Sequence, residues 1–252
     1  MPQDSNITAA VLVIGDEILS GRTQDTNTSH IARFLGAMGI DLLEVRVVPD
    51  IEDEIVAALN ALRARYTYLF TTGGIGPTHD DITADAVAKA FGVAIDFHPE
   101  AMKLMAARYK NPEDFNDMRK RMARIPDGAA LIKNSVSTAP GFRIDNVFVM
   151  AGVPMVMKAM LEELAPQLAH GAVVHVATVE AQLPEGQIAA ALAKIQSGHK
   201  TVSVGSYPFY RDKGPGTQLV VRGRDLREVE ATAGEIEAAV RSEGVEPQRI
   251  PG

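Results

Sequence analysis

The densest chemistry in the chain lies in Thr71-Thr72-Gly73-Gly74-Ile75-Gly76-Pro77-Thr78-His79-Asp80-Asp81-Ile82-Thr83. Glycines tolerate positive φ and let backbone N–H groups come close to phosphate oxygens. Gly73, Gly74 and Gly76, with Thr78, are therefore candidate phosphate-binding residues, and a helix starting just beyond them adds partial positive charge. The spacing is neither that of a GxGxxG dinucleotide fingerprint nor that of a lysine-bearing P-loop. The plain alternative is a tight turn with Thr78 or Asp80 as helix cap, but a cap needs only one carboxylate. Two carboxylates beside a pyrophosphate repel it unless a divalent cation lies between them. Mg2+, held by one or two carboxylates plus substrate oxygens, suits that position. Asp80 and Asp81 are thus candidate metal ligands, against the ordinary reading of surface acids that stabilise a helix dipole.

Further clusters follow other apolar runs. Gly15-Asp16-Glu17 is one, with Gly15 as a ligand contact and Glu17 or Asp16 as a further metal ligand or a partner for a ribose hydroxyl. Asp25 or Thr26, just beyond, reads as a cap for the next helix. Asp50 ends Val48-Pro49-Asp50, and either caps the following helix or joins the same rim to orient water or ribose. The polar loop Asn134–Phe142 can donate backbone and hydroxyl hydrogen bonds to a ligand, with Ser137 and Gly141 as its candidates. Met150-Ala151-Gly152-Val153-Pro154 brings Gly152 to another strand end. Arg119, Lys120, Arg121 and Arg124 form a basic patch whose ordinary role is a solvated helix face, though one of the four can reach a phosphate. The histidines show no metal-ligand spacing, and His79 reads as loop structure or a ligand contact.

These residues need a scaffold that gathers strand ends. Ala9–Ile14, Leu42–Val48 and Tyr66–Thr72 are strand-length apolar runs, separated by helix-spaced segments at 26–38 and 52–62. A helix from about Asp81 to Gly92 follows, then helical patterns at 99–109 and 113–124, strands near 129–132 and 142–149, and a helix from Pro154 to Leu168. This alternation predicts an α/β fold with a mostly parallel sheet and helices on both faces. In such a sheet, ligands bind at the carboxyl ends of the strands. Beyond Gly171 the pattern changes to a βαββα order, with Tyr207–Gly216 expected as a long hairpin loop. Residues 1–169 and 170–252 therefore form a large α/β domain and a small α+β domain.

Composition narrows the function. The 252 residues include no cysteine, which excludes disulfides, thiolate metal sites and cysteine nucleophiles. A net charge of −7, no tryptophan and 5% aromatics argue against nucleic acid as a partner. No run approaches the roughly 20 apolar residues that span a bilayer, and Met1-Pro2-Gln3-Asp4 opens no secretory signal. The expectation is a cytoplasmic protein without membrane contact.

GDEILSG at 15–21, Asp25 with Asn27, VVPD at 47–50, TTGGIGPTHDDIT at 71–83, STAPGF at 137–142 and AGVP at 151–154 together resemble the MoaB/Mog molybdopterin-binding domain family. The GPTxDD form and the extra small domain resemble its CinA (competence/damage-inducible protein A) branch. The resemblance covers essentially the whole chain. It implies a three-layer α/β/α domain, a homo-oligomer, and a phosphorylated pterin or adenine nucleotide as small-molecule partner. Molybdopterin is one such ligand, and Mg2+ or another divalent cation the cofactor. By motif, Asp50 and Asp81 correspond to the family's two catalytic aspartates. The activities implied are metal-dependent hydrolysis of ADP-ribose-type pyrophosphates or, alternatively, adenylylation of molybdopterin. A non-catalytic ligand-binding or scaffold module is the third reading. Three departures stand out. The chain ends before a nicotinamide-nucleotide amidase domain fits, so that activity is expected to be absent. Ala151-Gly152 replaces the usual Pro-Gly, and Met155-Val156 a usual Ser-Glu pair.

Overall fold

Ala9 to Ile14 is apolar at every position because this strand is covered on both faces. In the computed structural model, which describes residues 6–211 and 214–250, it forms β1 (Thr8–Ile14). The reading of residues 1–4 lies outside the described residues. Ala10, Leu12 and Ile14 pack into one core and Ala9, Val11 and Val13 into another, the period of two that a pleated strand imposes. β2 (Asp41–Val48) and β3 (Tyr68–Thr72) flank β1, both parallel to it.

The first core is closed by α3 (Glu52–Arg65) through Ile55, Leu59 and Leu62, and by α4 (Thr83–Phe91) through Ala86 and Val87. The second is closed by α2 (Asn27–Ala37) through Ile31 and Leu35, and by α7 (Pro154–Leu164) through Met157, Leu161 and Leu164. The result is three layers, helices over both faces of one sheet. A short helix, α1 (Asp16–Leu19), follows β1 directly.

The sheet continues from β3 into β8 (Val147–Met150), β7 (Gly141–Ile144) and β6 (Ala130–Ile132), giving the order β2-β1-β3-β8-β7-β6. β8 is parallel to β3, whereas β7 runs antiparallel to both β8 and β6. Here the expected single strand at 142–149 is instead a hairpin. Asp145 takes φ 52, and Asp and Asn are the side chains that accept such tight turns most readily. Asn146 fastens the turn by donating to the Arg63 and Tyr66 carbonyls at 2.9 and 3.0 Å.

The helix expected at 113–124 is also replaced. A single turn at Pro112–Asp114 precedes the four-residue α6 (Asp117–Lys120), because the Asn116 side chain accepts from the Arg119 N–H at 3.1 Å and restarts the helix. β5 (Arg124–Pro126) then pairs antiparallel with β4 (Ile95–Phe97), with α5 (Pro99–Ala106) between β4 and α6.

The chain divides into units 1–171 and 172–252. In the second, β9 (His175–Ala181), α8 (Glu185–Gly198), β10 (Val202–Arg211), β11 (Gly214–Gly223), α9 (Leu226–Ser242) and β12 (Gln248–Ile250) build an antiparallel sheet in the order β10-β11-β9-β12. Its core joins Ile188 and Leu192 of α8 with Val229, Ile236 and Val240 of α9 against Val179, Leu219 and Val221. Tyr207–Gly216, expected as a loop, is ladder on both sides of residues 212 and 213, which lie outside the described residues. Pro208 is tolerated because β10 is an edge strand, and Pro215 because β11 pairs with β9 only from Thr217 onward. Among the described residues no helix is long and apolar enough to cross a membrane.

Candidate functional site

Four parallel strands end at one rim: Ile14, Val48, Thr72 and Met150 are in register or adjacent to it. β7, antiparallel to β8, begins at that rim with Gly141. Gly15, Asp50, the 73–81 turn, the Ser137–Gly141 loop and Gly152 therefore share one edge of the sheet.

The Gly73–Gly74 turn is shaped by contacts that exclude a side chain. Gly73 lies at φ 107, and a Cβ there would run into the Ile14 carbonyl. Its own N–H donates to the Met150 carbonyl at 3.3 Å. Thr83, wholly buried at the start of α4, donates its hydroxyl to the Gly73 carbonyl and its N–H to the Gly74 carbonyl, both at 3.0 Å. The carbonyls are thus held inward. Among the described residues, the Gly74, Ile75 and Gly76 N–H groups donate to no protein acceptor, which leaves a run of free donors at a strand-to-helix turn.

No side chain caps α4, whose N-cap position is Ile82. Thr78 and Asp80, the alternatives for that role, do not fill it. Instead Asp81 closes the turn, one carboxylate oxygen accepting from the Thr78 N–H at 2.7 Å and from its hydroxyl at 2.5 Å. Asp80 is exposed, and 3.9 Å from the still more exposed His79. Asp50 caps no helix either, since the N-cap residue of α3 is Ile51. It accepts from the Asp16 N–H at 3.0 Å, tying the end of β2 to the turn after β1.

Burial holds the Asp50 carboxyl above the usual aspartate range, partly offset by the Asp16 N–H, and the charges of Asp16, Glu17 and Asp80 push it further up. With a folded-state value above the unfolded one, ionised Asp50 weakens the fold, and the penalty disappears as pH falls through the raised value. Asp50→Asn keeps an acceptor for Asp16 and removes the charge. Its melting temperature should exceed that of the parent at neutral pH, with the gain shrinking as both are measured toward pH 4. A lower melting temperature at neutral pH would show that the like charges are already compensated.

Two clefts flank the Gly73–Gly74 turn. One is lined by Glu17, Asp25, Asn27, Thr72, Gly73 and Gly152. Asp25 caps α2 through the Asn27 and Thr28 N–H groups at 2.8 and 3.2 Å. Asn27, only 6% exposed, donates both amide hydrogens, to the Thr72 hydroxyl at 2.8 Å and to the Gly152 carbonyl at 2.7 Å. The other cleft is lined by Gly74, Gly76, Asp81, Asp85, Arg121, Arg124 and Pro140. Arg124 makes a bidentate pair with Asp85 at 2.9 and 2.7 Å.

Glu17 and Asp81 thus line different clefts, and among the described residues no three His, Asp or Glu side chains converge to hold a cation. The donors are hard oxygens, the type Mg2+ prefers, and one or two of them suffice when substrate oxygens complete the shell. A Mg2+ ion fits this rim as a shared ion, not as one caged by protein alone. Ser137 turns inward, its N–H and hydroxyl donating to Asn134 Oδ1 at 2.7 and 3.1 Å, so it shapes the loop and offers no free donor. The parts that sequence reasoning missed are the Asn27 tie and the Arg124–Asp85 pair. Only the proximity of Asn27 to the acidic cluster hinted at the first, and nothing local signals the second.

Comparisons with known proteins follow the same division. Residues 10–170 match the family model described as a probable molybdopterin binding domain, and residues 173–249 match the middle domain of FAD synthase. A protein of Caldivirga maquilingensis is 41% identical over 165 residues, covering 64% of this chain and 64% of that one. A CinA-like protein of Desulfosudis oleivorans is 42% identical over 161 residues, covering 61% of this chain and 38% of its own length. These alignments span less than two thirds of either relative. The crystal structure of the protein CinA from Thermoplasma acidophilum superposes with a TM-score of 0.61 at 33% identity, over 64% of this chain and 98% of that one. The rim, the three layers and these matches converge: the chain belongs to the MoaB/Mog molybdopterin-binding domain family, as a CinA-type member carrying an FAD-synthase-type middle domain.

Proposed function

We propose that the rim binds a phosphorylated pterin or adenine nucleotide and hydrolyses an ADP-ribose-type pyrophosphate. The observation that carries this reading is the run of unpaired N–H groups at Gly74–Gly76, placed beside the Asp81 carboxylate on a rim where Asp50 and Asp80 are close enough to repel one another. The description of the family matched by the first unit, a probable molybdopterin binding domain, supports a pterin. The match of the second unit to the middle domain of FAD synthase, an enzyme whose product is an adenine dinucleotide, is in keeping with an adenine nucleotide.

In this reading the Gly74–Gly76 amides receive the charge that develops on the phosphoryl oxygens. Asp50, raised in proton affinity by burial, accepts a proton from the attacking water or orients a ribose hydroxyl. Asp80 and Asp81 would hold Mg2+ together with substrate oxygens, and the ion would supply charge neutralisation and acidify bound water. Glu17 lines the other cleft and is left outside this shell. The exposed Leu43, Val45 and Val47 along the edge strand β2 support a homo-oligomer as the working form.

Incubation of the purified chain with ADP-ribose and Mg2+ should release AMP and ribose 5-phosphate, separable by ion-exchange chromatography. Formation of adenylylated molybdopterin from ATP and molybdopterin, with ADP-ribose left intact, would replace hydrolysis by adenylyl transfer. Tight binding of these compounds without turnover of any would reduce the protein to a ligand-binding module.

A further inference from the structure

The basic patch at 119–124 is not uniform. Arg119 donates to the Asp114 carbonyl and lies 4.8 Å over the Tyr109 ring. Lys120 pairs with Asp117 at 2.8 Å. Arg124 is neutralised by its two bonds to Asp85. Arg121 differs from all three. Among the described residues its guanidinium has no hydrogen-bonded or ionic partner, and its Nε is buried without an acceptor.

A guanidinium N–H shut away from water without an acceptor is costly, more so than a neutral donor in the same place. The residue lines the cleft that Gly74 and Gly76 also line, where the free turn amides lie. The protein groups in that cleft that could satisfy it are committed elsewhere, Asp85 to Arg124 and one Asp81 oxygen to Thr78. What the cleft lacks is an anion with several acceptor oxygens, and a planar guanidinium fork matches a phosphoryl group in two bonds.

We infer that Arg121 binds the phosphoryl oxygens of the ligand and, with the Gly74–Gly76 amides, forms an anion subsite on the α4 side of the Gly73–Gly74 turn. This rests on the reading of the rim as a phosphate site, but not on any turnover there. It gives the ligand a direction, since its phosphates lie toward α4 and Arg121, leaving the Asn27 side of the turn for the remainder.

Inorganic pyrophosphate is the probe, titrated calorimetrically into the full chain and into variants at fixed salt. Arg121→Gln should weaken pyrophosphate binding by at least about tenfold, the loss of a charge-assisted pair of hydrogen bonds. Arg121→Lys should fall between the two, because it keeps the charge and loses the fork. Lys120→Gln removes the same charge one residue away and should leave the affinity within about twofold, as surface charges do.

Absence of pyrophosphate binding by the parent chain, unchanged affinity in Arg121→Gln, or equal losses in Arg121→Gln and Lys120→Gln would each overturn the assignment. Should Arg121→Gln fail to fold, phenylglyoxal labelling of the unaltered chain decides. Pyrophosphate should slow modification of Arg121 while Arg143 and Arg119 react at their original rates, and an unchanged rate at Arg121 would overturn the proposal. Failure of ADP-ribose hydrolysis leaves all of these readouts intact, so the two readings fail separately.

Discussion

Gly73→Ala should lower the unfolding free energy of the first domain by about 2–6 kcal/mol, the sum of about 1–3 kcal/mol of backbone strain and a similar cost of overpacking. The strain arises because Gly73 lies at φ 107, and the overpacking because a Cβ there meets the Ile14 carbonyl. That carbonyl ends β1, which is paired on one side with β2 and on the other with β3, so it cannot shift without disturbing a ladder. Gly21→Ala is the companion measurement: Gly21 also has positive φ, at 72, but nothing lies near its Cβ position. It should lose only the strain component. Urea titrations that place the two variants within error of each other would remove the close approach from the account and leave backbone conformation alone.

Asp81→Asn is expected to cut turnover of an ADP-ribose-type pyrophosphate by at least about 100-fold, since even partners one step removed from a metal site cost about 10–100-fold. The cost to stability should be smaller, about 1 kcal/mol, the difference between a charge-assisted and a neutral hydrogen bond. Asp81 takes both the N–H and the hydroxyl of Thr78 on one oxygen, and the asparagine carbonyl can accept the same two bonds without the charge. Activity and melting temperature therefore separate in this variant. Turnover preserved at every Mg2+ concentration would take Asp81 out of the chemistry. A collapse in melting temperature with proportionate loss of activity would make it a structural residue that closes the 78–81 turn.

Much of this arrangement is legible before any coordinates, for a definite reason. A strand buried on both faces is mostly apolar, so Ala9–Ile14 declares itself, as does the expected run Tyr66–Thr72. The latter forms a strand from Tyr68 onward because Tyr66 ends α3. A glycine-rich segment after such a strand marks a turn at a sheet edge. What depends on tertiary pairing is not legible. The Asp145–Asn146 reversal is only two residues long inside an apolar run, so its periodicity is hidden until β7 folds back on β8. Pro208, Pro215 and the neighbouring glycines carry the composition of a loop, yet they lie in a ladder whose outer positions need no donor. The carboxylate of Asp50 resembles a helix cap locally, and only the approach of the turn after β1 supplies the Asp16 N–H that it takes instead. Arg124 and Asp85 are 39 positions apart, and no spacing rule connects them.

Asn27 shows how closely the site is bound to the fold. Its amide joins the first turn of α2 to the Thr72 hydroxyl and the Gly152 carbonyl, and Thr72 in turn donates to the Ala151 carbonyl at 3.0 Å. One side chain thus staples the ends of β3 and β8 to a helix from the opposite stretch of sequence. The ends of these strands cannot part without breaking these buried and half-buried bonds, so solvent hydrogen is expected to reach the Gly73 amide only when a large cooperative piece of the domain opens. The floor of the cleft therefore exists before any ligand arrives, and a ligand that binds there stabilises the domain by mass action, with no segment of this floor left for it to order.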